Sequence, residues 1–471
     1  MTDGPGRVGT EGRPLRIAIV GAGPTGFYTA EALFRQAGLA VQVDLLDRLP
    51  TPFGLVRFGV APDHQKIKSV TVQFDRIASH PGFRFFGHVE LGKDVSVDDL
   101  RAHYHQVVYS TGAQTDRRMG IPGEDLVGSH PATDFVAWYN GHPDYRDCRF
   151  DLGQEAVAVV GVGNVAVDVA RILARTPEEL AATDVSDDAL QVLRQSRVRE
   201  IHVLGRRGPA QAAFTNPEVR ELGELPGADL TVRPEEVALD GLTRAALEKA
   251  PDRGTTKKVE ILQSFAKRSP EGKRRTLILR FLVSPTELLG NEGGQVVAAR
   301  LVRNELVATA AGTLQARPTG ELEDLPVGLV FRSVGYRGLP LPGVPFHDAW
   351  GVILNEKGRV LDPDTRQPRT GEYCAGWIKR GPTGVIGTNK PDAAETVAAM
   401  LEDLGAGRLL SPSETEPAAV DALVRQRQPH WFSYADWRRL DELEVARGRP
   451  LGRPRVKFVR VEEMLAALGR A

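Results

Sequence analysis

Two glycine-rich turns are the parts of the sequence best suited to binding a ligand. Residues 21–26 (GAGPTG) follow the apolar run 15–20, and residues 161–166 (GVGNVA) follow the apolar run 156–160. Between a strand and a helix, such glycines permit a tight turn and let the backbone approach a dinucleotide pyrophosphate at the helix N-terminus. Two turns predict two dinucleotides. A chain that binds two of them most economically passes a hydride from one to the other, which predicts a flavin and a nicotinamide face to face.

The residues after the second strand of each unit predict which dinucleotide binds where. Asp47 ends the run 41–46, where an acid accepts hydrogen bonds from ribose hydroxyls and repels a 2′-phosphate, as FAD or NAD requires. Arg206 and Arg207 follow the run 201–204, and their guanidinium forks suit a phosphate dianion, which predicts NADP(H) at the second turn. The alternatives are a glycine turn that only closes a βαβ unit and an arginine loop that is only solvated.

The order of elements predicts an α/β fold with two nested Rossmann-like dinucleotide-binding domains. Residues 107–113 and 329–336 are apolar runs that end in small residues and glycine, like two copies of one segment. In two-domain flavoproteins such segments mark where the chain crosses between domains. Extra helical material is predicted over 176–196. The predicted organisation is a flexible N-terminus over 1–14, an FAD-binding domain over 15–113 and 341–471, and an NADP-binding domain over 114–340.

A third glycine-dense segment, residues 376–387 (GWIKRGPTGVIG), retains a large aromatic side chain and two cations. Such a segment suits backbone contact with a flat ring system, and Trp377 is placed to pack on a ring face. The segment is therefore a candidate for contact with the isoalloxazine of a flavin. A tight turn with a core tryptophan is the alternative.

Composition narrows the class of protein. The 471 residues are 41% hydrophobic and 26% charged with a formal net charge of -1, which is ordinary globular composition without the basic field of a nucleic-acid binder. Cys148 and Cys374 are the only cysteines and form no CxxC, so neither a disulfide framework nor a metal–thiolate site is expected. We expect a cytoplasmic protein, a monomer, with no membrane span and no metal site.

Four longer motifs carry a family resemblance over nearly the whole chain. They are residues 50–64 (PTPFGLVRFGVAPDH), 163–173 (GNVAVDVARIL), 205–209 (GRRGP) and 376–390 (GWIKRGPTGVIGTNK). In this content and order the sequence resembles the adrenodoxin reductase type of ferredoxin–NADP reductase, particularly its bacterial members. The resemblance implies FAD between the two nested domains and NADPH approaching it from the inserted domain.

The resemblance also implies individual site residues. The FAD contacts it implies, with the first glycine turn, are Gly21, Gly23, Thr25, Asp47, Leu55, Val89, Trp377, Gly384, Val385 and Ile386. The NADP contacts it implies are Val162, Gly163, Asn164, Val165, Arg206, Arg207 and Glu218, with Gly384 touching both cofactors. His64 and Glu221 match a pair beside the nicotinamide and flavin that helps position the reactants, and they are the candidate catalytic residues.

Two positions depart from the family pattern. Asp47 stands where many members have Glu, and the shorter acid should still reach a ribose. Pro217 precedes Glu218 and restricts the backbone of Asn216, which predicts a shifted helix start.

The activity that the resemblance implies is an FAD-dependent ferredoxin–NADP(+) reductase. A hydride moves from NADPH to flavin N5, single electrons then pass to a ferredoxin-type iron–sulfur protein, and no general base or nucleophile is required. An acidic, transiently bound ferredoxin would need a basic face, for which a solvated surface is the alternative. The cations predicted to form that face are Lys257, Lys258, Lys267, Arg268, Lys273, Arg274 and Arg275.

Other activities compete with this interpretation. A disulfide reductase needs the redox CxxC that this sequence lacks. A pyridine-nucleotide subunit, as in glutamate synthase, usually brings cysteine-rich cluster domains that are missing here. A flavin monooxygenase and a non-enzymatic flavoprotein that responds to NADP remain as alternatives.

Overall fold

Strands and helices alternate along residues 7–470, which are the residues described by the computed structural model. The strands are β1 (Leu15–Val20), β2 (Val41–Asp47), β3 (Phe83–Gly87), β4 (Gln106–Tyr109), β5 (Thr115–Asp116), β6 (Ser129–Pro131), β7 (Ala156–Val160), β8 (Glu200–Gly205), β9 (Ala228–Val232), β10 (Arg275–Phe281), β11 (Val283–Gly290), β12 (Val296–Ala308), β13 (Leu314–Pro326), β14 (Leu329–Arg332), β15 (Tyr336–Arg337), β16 (Phe346–His347), β17 (Val352–Ile353), β18 (Asn355–Glu356), β19 (Arg359–Leu361) and β20 (Pro368–Cys374). The helices are α1 (Pro24–Phe34), α2 (Leu55–Phe58), α3 (Gln65–Lys68), α4 (Thr71–Ala78), α5 (Val97–His103), α6 (Ala132–Tyr139), α7 (Asn164–Ala174), α8 (Pro177–Ala181), α9 (Asp187–Arg194), α10 (Asn216–Leu222), α11 (Pro234–Val237), α12 (Gly241–Lys249), α13 (Arg253–Phe265), α14 (Trp377–Arg380), α15 (Asn389–Gly405), α16 (Pro417–Arg427), α17 (Tyr434–Gly448) and α18 (Val461–Ala467). Short 3₁₀ helices lie at Pro143–Tyr145, Pro209–Gln211, Ile386–Thr388 and Arg449–Leu451.

The first sheet carries the first glycine turn. Its strand order is β18-β19-β20-β4-β1-β2-β3, parallel from β20 to β3 and antiparallel at the β18 edge. All six residues of β1 (LRIAIV) are buried because both faces of a parallel sheet are covered. Helices α1 and α15 pack against each other beside this sheet.

The second sheet carries the second glycine turn. Its order is β6-β14-β7-β8-β10-β9 and every neighbouring pair is parallel. A three-stranded antiparallel sheet, β11-β12-β13, follows β10 directly along the chain. The second sheet and this small sheet lie entirely within residues 129–332, between β4 and β20 of the first sheet, so one α/β unit is inserted in the other. The predicted nested α/β fold is confirmed.

The two units repeat the same turn geometry. The Gly21 amide donates to Leu46 O at 2.7 Å, and the Gly161 amide donates to Leu204 O at 2.9 Å. Both glycines have positive φ, 107° and 135°, and a Cβ at either would collide with the carbonyl oxygen of the adjacent strand end, Ser110 or Ser333. The runs predicted to be copies, β4 and β14, thus occupy equivalent places beside β1 and β7.

The chain crosses between the two units at a short two-stranded ribbon. β5, on the way out of the first unit, pairs antiparallel with β15, on the way back. The extra helical material predicted over 176–196 is present as α8 and α9.

The two ends of the chain pack on the first unit. Residues 1–6 lie outside the described residues, but residues 7–14, included in the predicted flexible N-terminus, form a turn in which the Gly9 amide donates to Arg13 O at 2.8 Å. At the other end Trp437 of α17 is 1% exposed and meets Phe53 edge-on, with ring centroids 5.6 Å apart. None of the helices within residues 7–470 is long and apolar enough to cross a membrane.

Candidate functional site

The backbone at Gly23 leaves open space in front of the N-terminus of α1, and we call such a space beside a glycine turn a cradle. Gly23 precedes α1, and no side chain caps the amides at that helix end. Its φ and ψ of -81° and -177° suit any residue, yet no other atom lies within 4 Å of where its Cβ would stand. Unpaired amides, a positive helix end and free space fit the pyrophosphate of a dinucleotide.

Asp47 lies directly against this turn. Its Oδ2 accepts a hydrogen bond from the Ala22 amide at 2.7 Å, and its Oδ1 accepts one from the Leu49 amide at 2.9 Å. Burial raises the pKa of Asp47, and the two amides oppose part of that rise. The buried residue Val89 donates its amide to Asp47 O at 2.9 Å. The shorter acid therefore reaches the edge of the cradle, where ribose hydroxyls would lie.

The other predicted FAD positions gather around the same turn. Leu55 follows Gly54, whose Cβ would lie 3.0 Å from Gly23 Cα. Gly376, at a φ of 78°, packs on Thr25 so closely that a side chain there would collide with it. Residues 377–386 continue from this contact, so distant parts of the chain converge on the first turn.

Trp377 anchors the late glycine-dense segment. Its Nε1 donates to Thr383 O at 3.0 Å, and its ring lies 5.6 Å from the Tyr336 ring on the crossing ribbon. Gly384 adopts a φ of 80°. The next residue, Val385, is 52% exposed, whereas Ile386 packs into the core of the first unit. The segment thus has one anchored side and one exposed side that is available to a ring system.

Gly163 leaves a matching cradle at the second turn. It precedes α7 with a φ of -101° and no capping side chain, and no other atom lies within 4 Å of where its Cβ would stand. Val162 O accepts the amides of Ala213 and Phe214 at 2.8 and 3.0 Å, and Asn164 Oδ1 accepts the Thr215 amide at 2.9 Å. Val165 is partly buried against the core. These bonds hold the start of α10 beside the second turn.

Arg206 and Arg207 follow β8 without counter-ions. Among the described residues neither guanidinium pairs with an acidic side chain, and burial, with Arg206 adding repulsion, lowers the pKa of Arg207. The loop is pinned by its backbone, because Asn304 Nδ2 donates to Arg206 O at 3.0 Å and the Leu282 amide donates to Arg207 O at 3.2 Å. Two adjacent unpaired cations on a fixed loop fit a phosphate dianion.

The two candidate catalytic residues meet across the two units. His64 Nε2 lies 2.8 Å from Glu221 Oε2. Glu218 lies on the other side of the ring, with its Oε1 3.9 Å from His64 Nδ1. Helix α10 begins at Asn216 with Pro217 in its first turn, where the missing N–H costs no hydrogen bond, so Pro217 starts this helix rather than disturbing it.

The surroundings of His64 include charged residues that the sequence analysis did not select. Asp168 Oδ1 lies 4.0 Å from His64 Nδ1, and burial raises the pKa of Asp168. Burial, with repulsion from Asp168 and Glu221, raises the pKa of Glu218 to about 7, although His64 and Arg171 oppose the rise. Both Asp168 and Arg171 lie within the quoted motif 163–173, which is the signal that could have found them.

Three members of this cluster lie close together. A ring nitrogen of His64 and one carboxylate oxygen each from Asp168 and Glu218 lie within 4.8 Å of one another. Arg171 already places a guanidinium nitrogen 2.7 Å from Asp168 Oδ1, so positive charge is supplied by the protein itself.

Fewer of the cations predicted to form the basic face are exposed than the sequence analysis expected. Lys258 donates to Ala212 O, and Lys273 donates to Leu225 O at 3.3 Å, and both are half-buried. Arg275 is only 3% exposed and donates to the carbonyls that end α7, so its assignment to the surface was wrong. The cations that remain exposed are Lys257, Lys267, Arg268 and Arg274.

Comparison with known proteins gives concordant results. Residues 16–203 match the family Pyridine nucleotide-disulphide oxidoreductase. The chain is 46% identical over 464 residues to NADPH-ferredoxin reductase FprA of Mycobacterium tuberculosis, covering 96% of this chain and 99% of that protein. It is 44% identical over 470 residues to the human mitochondrial NADPH:adrenodoxin oxidoreductase, covering 98% and 93%. The solved structure of M. tuberculosis FprA in complex with NADPH superposes with a TM-score of 0.91 at 45% identity, covering 97% of this chain and 100% of that one.

Proposed function

This chain belongs to the adrenodoxin reductase family of ferredoxin–NADP reductases, and from that membership we propose how its own residues serve FAD-dependent electron transfer from NADPH to a ferredoxin-type iron–sulfur protein. The observation that carries the assignment is the pair of uncapped glycine cradles. One is bordered by the acid Asp47, the other by the unpaired cations Arg206 and Arg207. Their opposite charges assign FAD to the first and NADPH to the second.

The cofactor contacts follow from this assignment. The free amides in the first turns of α1 and α7, which in α1 come after Pro24, bind the two pyrophosphates, and Asp47 accepts hydrogen bonds from the ribose hydroxyls of FAD. Arg206 and Arg207 bind the 2′-phosphate of NADPH. The proposed domain boundaries place the FAD domain over 15–113 and 341–471 and the NADP domain over 114–340. The crossing ribbon of β5 and β15, which lies close to both junctions, supports this proposal.

The protein's part in the reaction is to orient and enclose the reactants. Bound FAD supplies the hydride acceptor and the capacity to release electrons one at a time. Trp377, held against Tyr336 and bonded to Thr383 O, would stand beside the bound flavin ring, and the backbone of residues 383–386 would contact the same ring. His64 and Glu221 come from opposite units and meet at 2.8 Å, so their hydrogen bond fixes the ring of His64 where the two units join.

A stopped-flow experiment without oxygen tests the assignment. The purified yellow protein is mixed with NADPH or NADH, and ferredoxin with cytochrome c is then added. We expect fast flavin bleaching with NADPH, much slower bleaching with NADH, and cytochrome reduction that depends on ferredoxin. If NADPH bleaches the flavin but ferredoxin does not increase cytochrome c reduction, the two nucleotide sites are supported and ferredoxin is not the electron acceptor. Hydroxylation of an organic substrate would instead indicate a monooxygenase.

We expect the ferredoxin to be acidic and to dock near the remaining exposed cations. Lys267→Glu combined with Arg268→Glu should slow ferredoxin-dependent cytochrome reduction about 10-fold at low salt, because electrostatic steering is lost. The rate of flavin bleaching by NADPH should not change, and raising the salt should narrow the difference between variant and wild type. Arg199→Ala removes another exposed cation of the second unit and serves as the control. Unchanged cytochrome reduction in the double variant would place the docking face elsewhere.

His64 should assist the reaction without being indispensable. His64→Ala is expected to lower the limiting rate of flavin reduction by about 10-fold to 100-fold, because a misplaced reactant loses rate even when it binds. Glu221→Gln keeps a hydrogen-bonding side chain and should lose less. Limiting rates measured against NADPH concentration separate this effect from binding, which should change little. A His64→Ala variant with the wild-type limiting rate would show that the pair is only structural.

A further inference from the structure

Arg171 and Asp63 form a buried bridge between the two α/β units. Arg171 Nε lies 2.7 Å from Asp63 Oδ2, and a second guanidinium nitrogen lies 3.0 Å from Asp63 Oδ1. The two side chains are 0% and 5% exposed. Arg171 belongs to α7, which starts at the second glycine turn, whereas Asp63 immediately precedes His64 in the first unit. A two-pronged contact of this kind fixes both distance and angle.

The same guanidinium also reaches the carboxylates around His64. It lies 2.7 Å from Asp168 Oδ1, 3.4 Å from Glu218 Oε2 and 3.8 Å from Glu221 Oε2. Arg175 supports it by contacting Asp63 Oδ2 at 2.7 Å. The titratable and charged groups that face this cluster from all sides are His64, Asp63, Asp168, Glu218, Glu221, Arg171, Arg175, Glu179 and the hydroxyls of Tyr139 and Tyr336.

We propose that Asp63 and Arg171 are positioning residues of the reductase: their bridge sets His64 against Glu221, and the charge of Arg171 sets the charge of the carboxylates that face His64. The inference rests on the proposed function. Arg171 contacts Asp63, which precedes His64 in the chain, and also Asp168, whose carboxylate lies near the His64 ring. A positioning role explains why the same side chain makes both contacts. Carboxylates outnumber guanidinium groups in this cluster, so each guanidinium lowers the pKa of the carboxylates near it.

Two substitutions give opposite pH shifts if this is correct. Arg171→Gln removes a cation that lowers the pKa of Glu218, so that pKa rises. Asp63→Asn removes an anion that partly neutralises Arg171, so the pKa of Glu218 falls. When Glu218 is protonated, it no longer presents a negative charge to the imidazole of His64. The plot of the limiting rate of flavin reduction against pH should therefore have its inflection at the pKa of Glu218.

The experiment measures the limiting rate of flavin reduction by NADPH in the holoenzyme from about pH 5.5 to 8.5. We expect the inflection to move to higher pH in Arg171→Gln and to lower pH in Asp63→Asn, each by about one unit. Both variants should lose about 10-fold in limiting rate at their optimum, whereas the Kd for NADPH should change less than about 3-fold. Asp187→Asn is the matched control and should shift nothing. Its carboxylate pairs with Arg453 at a distance of 2.5 Å, and among the described residues it forms no ion pair with the cluster around His64.

A purely structural bridge predicts a different result. Inflections that move in the same direction, or a loss of rate that follows only the loss of bound FAD and of melting temperature, would overturn the proposal. If Arg171→Gln does not fold, Arg171→Lys keeps the charge without the two-pronged contact, and it should keep the wild-type inflection while losing rate. A shifted inflection in Arg171→Lys would also count against the proposal. Failure of NADPH to bleach the wild type would instead overturn the proposed function.

Discussion

Valine at Gly163 is expected to abolish flavin reduction by NADPH while FAD stays bound, and valine at Gly23 is expected to abolish FAD binding while NADP+ still binds. Both glycines have ordinary backbone angles, and no other atom lies within 4 Å of where a Cβ would stand. The protein alone therefore leaves room for a Cβ at either place. Each side chain would occupy the space assigned to a pyrophosphate, and we expect a loss in affinity of at least about 100-fold, or ~2.8 kcal/mol.

Three measurements separate the two effects. The ratio of flavin to protein absorbance reports FAD content, calorimetry reports NADP+ binding, and circular dichroism reports the fold. Gly405→Val is the control, since Gly405 also faces open space but is the last residue of α15, whose neighbour Leu404 lies beside Gly9 rather than beside either turn. A Gly163→Val protein that NADPH still reduces at the wild-type rate would remove the second turn from the NADPH site.

Local motifs predicted the parts of this molecule that depend on short stretches of chain. A glycine turn between an apolar run and a helix needs only about 20 residues of context, and both turns formed as expected. The likeness of residues 107–113 and 329–336 was visible in the sequence, and the strands they contain, β4 and β14, occupy equivalent places beside β1 and β7. The resemblance added His64 and Glu221, which no spacing rule would join. Their proximity is observed, whereas their roles and the domain boundaries stay predictions.

What the sequence could not supply depends on contacts between distant segments. Arg275 lies in a run of cations, yet it is buried because the last carbonyls of α7 need donors and its guanidinium provides them. Asn304 supports the arginine loop from β12, far along the chain. Asp63 and Arg171 lay inside quoted motifs, but their bridge becomes visible only when the two units are packed together. Counting charges along a chain does not reveal which of them face one another.

Loss of both arginines after β8 should change nucleotide selectivity more than any other surface substitution in this chain. For Arg206→Ala combined with Arg207→Ala we expect the KM for NADPH to rise about 100-fold, since two charge-assisted hydrogen bonds contribute about 1.5 kcal/mol or more each. The KM for NADH, which lacks the 2′-phosphate, should change less than about 3-fold.

Neither guanidinium has an acidic partner among the described residues, so removing them leaves no buried acid unpaired and the fold should be unaffected. Arg199 directly precedes β8, at the opposite end from the two arginines, and its side chain is 70% exposed, so Arg199→Ala should leave both KM values unchanged. The test is to measure the KM for NADPH and for NADH by steady-state kinetics on the wild type, the double variant and Arg199→Ala. An equal rise for NADPH and NADH would mean that Arg206 and Arg207 do not read the 2′-phosphate, and the opposite charges of the two cradles would then no longer distinguish their cofactors.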